Sequence, residues 1–450
     1  PTIALHATNY LSEQLNCPRY SGASSLVKVI EKSENWEIGE DTECDEKTAE
    51  TIRERLLGQV FAVAAQIVEE EICSIEDVDR GAKVGLRWAE GPFEIANKIG
   101  IEQTIKMATS YAELAGFQLP KWLKEKNEIF EFNYIDIEIN DNIAKIKINR
   151  PEAMNALNES VVKQLGSALD NLNSKENIDT IVLEGAGKAF VAGADVKFFV
   201  DKINEDSTKD IYDFTAYGHD VLNKLEKSKK TTIALTTGLA LGGGLELAMS
   251  CDYRVGTRRS QFRFPETSIG IFPGLGGTQR TPRICGIEAA RYAVLAGNFL
   301  DSKTASALGI LTHLVDPSDI SKTIMEISVE GKPVNKYPGM PRDENNPVSL
   351  FAMNFYKNEN MESIMSGEIP KGFEKEDKTV IRQMKSLSFT APIALKIANQ
   401  LLNDAIATGD DLDSGLALEL AELDTIFASK DALEGLSALI EGRRPKYIND

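Results

Sequence analysis

The sequence predicts an all-helical domain over residues 1–125, followed over 127–450 by an α/β fold made of repeated strand–strand–helix turns. Three observations carry this. Apolar residues recur at helical spacing between positions 48 and 117, and from Tyr134 onward they alternate as in strands. Glycine-rich loops then repeatedly follow apolar runs and lead into helix starts, which gives the second part a repeating unit.

In the first domain, residues 27–38 read as an apolar-to-charged connector and 39–43 as a loop. Ile52, Leu56, Val60, Val63 and Ile67, with Leu57, Ala64 and Val68 beside them, mark a helix. Glu69, Glu70, Glu71 and Ile72 close it, and Ser74 with Asp77 is the N-cap pair of the next one. Gly91-Pro92 breaks the chain before helical periodicity resumes over 94–117, and the charged stretch 120–128 is the domain boundary. Two strands follow, carried by Ile135, Ile137, Ile139 and by Ile143, Ile146, Ile148, around an Asn140-Asp141-Asn142 turn. A helix over 158–172, a buried strand over 180–183 and a glycine-rich loop over 185–195 come next. The stretch 231–266 repeats the pattern: an apolar run, the cluster Gly242-Gly243-Gly244, and a helix start at Leu245 and Glu246. The polar segment 316–390, with its Pro-, Asn- and Lys-rich part 331–347, reads as an extended, exposed insert. Helices over 393–406, 412–427 and 432–440 form the C-terminal part, 391–445.

Composition limits the function. The chain of 450 residues carries 50 basic against 69 acidic residues, a net charge of -19, which argues against nucleic-acid or anionic-membrane partners. No apolar run approaches the roughly 18–20 residues that cross a bilayer, and the first residues lack the basic and apolar regions of a signal peptide. The five cysteines are scattered, as expected for reduced thiols in a cytoplasm. His6, His219 and His313 lie far apart, so no metal site is expected, and His219 is read as a structural or surface residue. The glycine pairs at 185/187, 242/244 and 274/276 are followed by Phe190, Leu247 and Gln279, where a dinucleotide-binding turn needs a small residue. Neither a phosphate-binding GxxxxGK[ST] loop nor a GxSxG elbow is present.

What remains is carboxylate chemistry. Backbone N–H groups at Ala194 and Gly243, at the ends of two glycine loops, could be aimed at one oxygen as an oxyanion hole. Glu246 sits in the first turn of an otherwise apolar helix, and Glu266 follows Pro265 twenty positions later. Read singly, each acid has an ordinary alternative, Glu246 as a favourable first-turn charge and Glu266 as a loop or cap residue. Read together they form an acid/base pair, in which one must be raised from its ordinary value near ~4.3 to donate a proton at neutral pH.

The stretches NRPEAMNAL (149–157), FVAGAD (190–195), ALGGGLELA (240–248), Pro265-Glu266 and FPGLGGTQR (272–280) together resemble the crotonase (enoyl-CoA hydratase/isomerase) superfamily over roughly residues 130–445. The resemblance implies a crotonase fold, a superhelix of ββα turns closed by C-terminal helices. It implies that the N–H groups of Ala194 and Gly243 hold a thioester oxygen, while Glu246 and Glu266 add water across the 2,3-double bond of a trans-2-enoyl-CoA. Glu152, Ala153, Met154 and Ala156, then Ala192, Gly193 and Asp195, with Gly242, Pro273 and Gly274, are the implied coenzyme A and substrate contacts. No cofactor beyond the substrate's coenzyme A and a trimer-based homo-oligomer are implied as well. Isomerases of the superfamily typically retain only the acid matching Glu266, so the presence of both favours a hydratase. The alternative is a 3-hydroxyisobutyryl-CoA-like hydrolase, which the long 316–390 segment resembles; those enzymes usually carry Asp where Gly274 stands and lack the acid at Glu246. Arg263 and Phe264 replace smaller or polar residues, so a reshaped acyl pocket is expected.

RLLGQV (55–60), EEEI (69–72), DVD (77–79) and GPFE (91–94) are similar to the helical C-terminal domain of 3-hydroxyacyl-CoA dehydrogenases, with residues 1–38 similar to the tail of a preceding copy. In such enzymes NAD and the catalytic His–Glu pair belong to a Rossmann domain, of which this sequence has no sign, so NAD is not expected on this chain. The implied arrangement is the back half of a bifunctional fatty-oxidation protein, truncated or partnered with a separate dehydrogenase subunit.

Overall fold

The computed structural model describes residues 6, 9–10, 13–14, 24–32 and 44–449. Within the expected 27–38 connector lies part of a helix, Ser24–Glu31. The loop expected at 39–43 and most of the 1–38 tail fall outside the described residues. The chain divides into two compact units, Pro1–Phe132 and Asn133–Asp450. The division falls after the 120–128 connector because Phe130 belongs to the first unit. Its ring lies 4.8 Å from Phe93 and 6.3 Å from Trp122, and its backbone pairs with both ends of the Asn97 amide.

The first unit contains α1 (Glu46–Glu69), α2 (Ile75–Gly85), α3 (Pro92–Ile99) and α4 (Ile101–Ala115). Helices α1 and α4 lie close enough that a Cβ at Gly58 would come within 2.4 Å of Met107 O. Phe61, Ala62, Ala65, Met107 and Ala108 fill the seam, so small residues set the buried face of α1. Ile52 and Leu56, which mark this helix by their spacing, are turned out, 50% and 59% exposed. Ser74 caps α2 as expected, accepting a hydrogen bond from Asp77 N–H at 3.2 Å. Gly91-Pro92 opens α3 rather than only breaking the chain. Its first N–H groups are capped by the distant, buried Asp79, which accepts from Phe93 at 2.8 Å and Glu94 at 2.9 Å. The helical stretch expected over 94–117 is two helices, split at Gly100.

The second unit is built on two sheets. One has the order β1 (Ile135–Asn140), β2 (Ile143–Ile148), β3 (Thr180–Gly185), β5 (Thr231–Thr236), β7 (Tyr253–Gly256) and β10 (His313–Leu314). The other has β4 (Ala189–Ala192), β6 (Leu239–Leu241), β8 (Gln261–Arg263) and β9 (Leu300–Asp301). The repeat is physical: β3/β4, β5/β6 and β7/β8 each give one strand to each sheet before the chain turns into helix. Pairing from β2 through β7 is parallel, with Val182 opposite Ile233 and Ile233 opposite Tyr253. Such strands are covered on both faces, and β3, β5 and β7 are almost wholly buried. Helices α5 (Glu159–Ser174), α6 (Val196–Asn204), α7 (Thr208–Glu226) and α8 (Gly243–Ser250) follow successive strands.

The 316–390 segment is exposed over most of 331–347, as expected, but is packed into the unit at particular side chains. Phe355 and Tyr356 are fully buried, and Arg291 donates to Tyr356 O at 2.8 Å. Two lysines of 331–347 pair with buried acids: the exposed Lys332 reaches Asp252 with its Nζ at 2.7 Å, and Lys336 turns inward, its Nζ 2.8 Å from Glu226 and 2.7 Å from Ser250 O. Tyr337 donates to the same Glu226, and Arg280 pairs with it at 3.0 Å. Burial alone would raise the Glu226 carboxyl, but Lys336 and Arg280 outweigh it and hold the group below its ordinary value. Within this mostly exposed stretch, Lys336 and Tyr337 form an inward charge cluster with Glu226 and Arg280.

The C-terminal helices include α9 (Gly277–Cys285), α10 (Pro392–Ala407), α11 (Leu412–Ala421), α12 (Leu423–Phe427) and α13 (Lys430–Glu441), the expected 412–427 helix being broken at Glu422. No helix among the described residues is long and apolar enough to cross a membrane.

Candidate active site

The loop before α8 is the pivot. Gly242 has φ 47° and ψ -123°, a conformation open to glycine alone, and it turns the chain from β6 into α8. Gly243 is the first residue of α8, and its N–H donates no hydrogen bond among the described residues. A Cβ at Gly243 would lie 3.9 Å from Ala194 N, so the two backbones are neighbours. Ala194 N–H is likewise without an acceptor among the described residues. Ala194 precedes α6, whose N-cap is Asp195, rather than standing in its first turn.

The two loops assigned to coenzyme A lie side by side. Ala192 N–H donates to Met154 O at 3.1 Å, Leu157 N–H to Gly193 O at 2.9 Å, and Asp195 N–H to Leu157 O at 2.9 Å. Glu152 and Ala153 form a short 3-10 turn, Met154 is exposed with φ 51°, and Ala156 is half-buried. Asn155, not singled out in the sequence, ties these loops together. Its buried Nδ2 reaches Ala186 O and Ala189 O at 2.9 and 2.8 Å, and its Oδ1 accepts from Arg150 N–H. Arg150 in turn pairs with Asp195 at 3.3 Å.

Both acids are buried. Glu246 is in the first turn of α8, and its Oε1 accepts two hydrogen bonds at 2.7 Å, from Leu275 N–H and Gly277 N–H. Burial first, then the charges of Glu266 and Glu419, hold its proton affinity well above the ordinary carboxyl range, while those two N–H groups pull it back. Glu266 begins a short 3-10 turn after β8. A Cβ at Gly242 would fall 2.2 Å from Glu266 Oε1, which places this acid against the loop that starts α8. Glu266 Oε2 is buried with no hydrogen-bond partner. Burial pushes Glu266 up to about 8, against the pull of its own backbone N–H and of Arg263.

Pro273 and Gly274 lie just before the segment that contacts Glu246. Gly274 O pairs with His219 Nε2 at 2.7 Å. His219, on α7, is buried, and its Nε2 also lies 3.4 Å from Glu419 Oε1. Glu419 is a third acid that the sequence analysis missed. It follows Leu416 by one helical turn and precedes Leu423 by another, so an acid at a core-facing position of an apolar run was the available signal. Phe264 is fully buried, and Arg263 is tied to Gly297 O at 2.6 Å with its guanidinium 4.9 Å from the Phe299 ring. Among the described residues no group of three or more His, Cys, Asp or Glu is arranged to hold a metal ion.

An oxyanion-type pair of N–H groups beside two buried carboxyls can polarise a carbonyl and move protons on the carbons next to it. Comparison with known proteins agrees with this chemistry. Residues 52–133 match the family described as 3-hydroxyacyl-CoA dehydrogenase, C-terminal domain. A short-chain-enoyl-CoA hydratase of Clostridium acetobutylicum is 29% identical over 315 residues, 70% of this chain and 97% of the relative. A crotonyl-CoA hydratase of Syntrophomonas wolfei is 27% identical over 319 residues, 71% of this chain and 99% of the relative. Among solved structures, an enoyl-CoA hydratase from Rhodobacter sphaeroides shares the fold with a TM-score of 0.60 at 21% identity, covering 71% of this chain and 93% of that one. Residues 143–449 match the family described as enoyl-CoA hydratase/isomerase, and the chain belongs to that family.

Proposed function

We propose that the α/β unit hydrates trans-2-enoyl-CoA thioesters to 3-hydroxyacyl-CoA. The observation that carries this is the unequal hydrogen bonding of two buried acids. Burial raises both acids, and within the pair Glu246 receives two N–H donors, which favour its charged form relative to Glu266, whose Oε2 has none and retains the shared proton. The thioester oxygen accepts from Ala194 and Gly243 N–H as negative charge builds on it. Glu246 takes a proton from water as the water oxygen bonds to C3, and Glu266 delivers its proton to C2. Exchange with solvent then returns one proton from Glu246 and one to Glu266. The loops 152–156 and 192–195 hold the coenzyme A, and no further cofactor takes part. The similarity to a crotonyl-CoA hydratase makes crotonyl-CoA the first substrate to try. The enoyl absorbance should fall with formation of 3-hydroxybutyryl-CoA; free coenzyme A instead would support the thioester hydrolase reading.

The free thiols of Cys44, Cys73, Cys251 and Cys285 support a reducing compartment such as the cytoplasm. The dehydrogenase-like helical unit exposes Ile52, Leu56 and Leu114, which supports a role in self-association or in docking a separate dehydrogenase subunit. Light scattering should give more chains per particle for the whole protein than for a version lacking residues 1–132; equal association states would remove this role for self-association.

A further inference from the structure

Two acids, Glu246 and Glu419, meet at the segment 274–278, and Glu419 has no part in the chemistry described above. Contacts along it alternate. Leu275 N–H donates to Glu246, Gly276 N–H to Glu419 Oε1 at 2.5 Å, Gly277 N–H to Glu246 again, and the Thr278 hydroxyl to Glu419 Oε2. His219 secures the near end through Gly274 O. We propose that Glu419, backed by His219, is a positioning residue for Glu246: it fixes this segment so that two N–H groups converge on Glu246 Oε1. Both hydrogen bonds of the Glu246 side chain among the described residues go to Oε1, which leaves Oε2 for the water.

A merely structural anchor would not need a carboxyl. A neutral side chain could hold the same N–H and hydroxyl without placing another charge beside two buried acids. The charge has its own effect, since Glu419 raises the proton affinity of both Glu246 and Glu266. The other ionisable groups facing it are His219 on α7 and Arg280 on α9, the latter held by Glu226. Arg263 faces Glu266 from β8.

The proposal rests on the hydratase reading, and two variants test it. Glu419→Gln keeps an acceptor for Gly276 and removes the charge. It should shift the alkaline limb of the kcat profile to lower pH, with KM within about twofold. Glu419→Ala releases the segment. It should lower kcat on crotonyl-CoA about 10- to 100-fold, KM again changing little, because the loss is of geometry and not of binding. Hydrogen exchange in Glu419→Ala should quicken at 274–278 and not through the unit. Wild-type kcat and pH profiles in both variants, or exchange quickened throughout the unit, would overturn the proposal. If the unaltered protein hydrates no enoyl-CoA, the hydratase reading itself falls. Exchange then decides alone: quickening confined to 274–278 upholds the positioning role, and unchanged or unit-wide exchange overturns it.

Discussion

Glu266→Gln should reduce hydration about 100- to 10,000-fold while making the protein more stable at neutral pH. The two effects share one cause. The amide keeps the shape of Glu266 but cannot deliver a proton to C2. The carboxyl it replaces costs stability, because burial pushes Glu266 up to about 8 whereas the unfolded chain ionises near ~4.3. Between those values the folded chain binds a proton that the unfolded chain has released, so stability falls by about 1.4 kcal/mol per pH unit as pH rises, then levels off above about 8. At pH 7 the accumulated cost is about 3.5 kcal/mol, and an unpaired buried amide returns about 1–2 kcal/mol of it. The melting temperature of Glu266→Gln relative to the unaltered protein should therefore rise from pH 5 to pH 8. The unaltered enzyme should also lose activity as pH passes about 8 and Glu266 gives up its proton. An unchanged stability difference across that range would show that Glu266 is not a raised, buried acid.

Gly242→Ala should cost at least about 100-fold in kcat. The backbone at φ 47° and ψ -123° is strained for any residue with a Cβ, at about 1–3 kcal/mol. The new methyl would also stand 2.2 Å from Glu266 Oε1 and 3.2 Å from its Cδ. Relief requires either that Glu266 swing away or that the chain shift at Gly243, whose N–H is the proposed donor to the thioester oxygen. Either movement disrupts one half of the site. Kinetics and circular dichroism together check this, and a folded variant with near-normal kcat would mean that the Gly242 turn does not set the active geometry.

The candidate acid pair and the loop before Glu246 stand out in the sequence because their signals are local. A strand, a glycine turn and an acid in the first turn of an apolar helix lie within a few positions, and the parallel sheet brings the Ala194 backbone to the Gly243 backbone. Glu419 was not legible because its role depends on a contact about 140 positions away, with Gly276 and Thr278. In 331–347 composition gave the exposed character of most of the stretch, but not that Lys332, Lys336 and Tyr337 have the buried acids Asp252 and Glu226 as partners. In α1, helical spacing identified the helix but not its buried side, which small residues packing on Met107 determine.

The most direct test is to mix the protein with crotonyl-CoA and follow both the enoyl absorbance and free thiol, for the unaltered chain, Glu246→Gln and Glu266→Gln. The unaltered chain should yield 3-hydroxybutyryl-CoA without free coenzyme A, and both variants should lose at least about 100-fold in rate. Release of coenzyme A by the unaltered chain, or near-normal hydration by both variants, would contradict a two-glutamate hydratase.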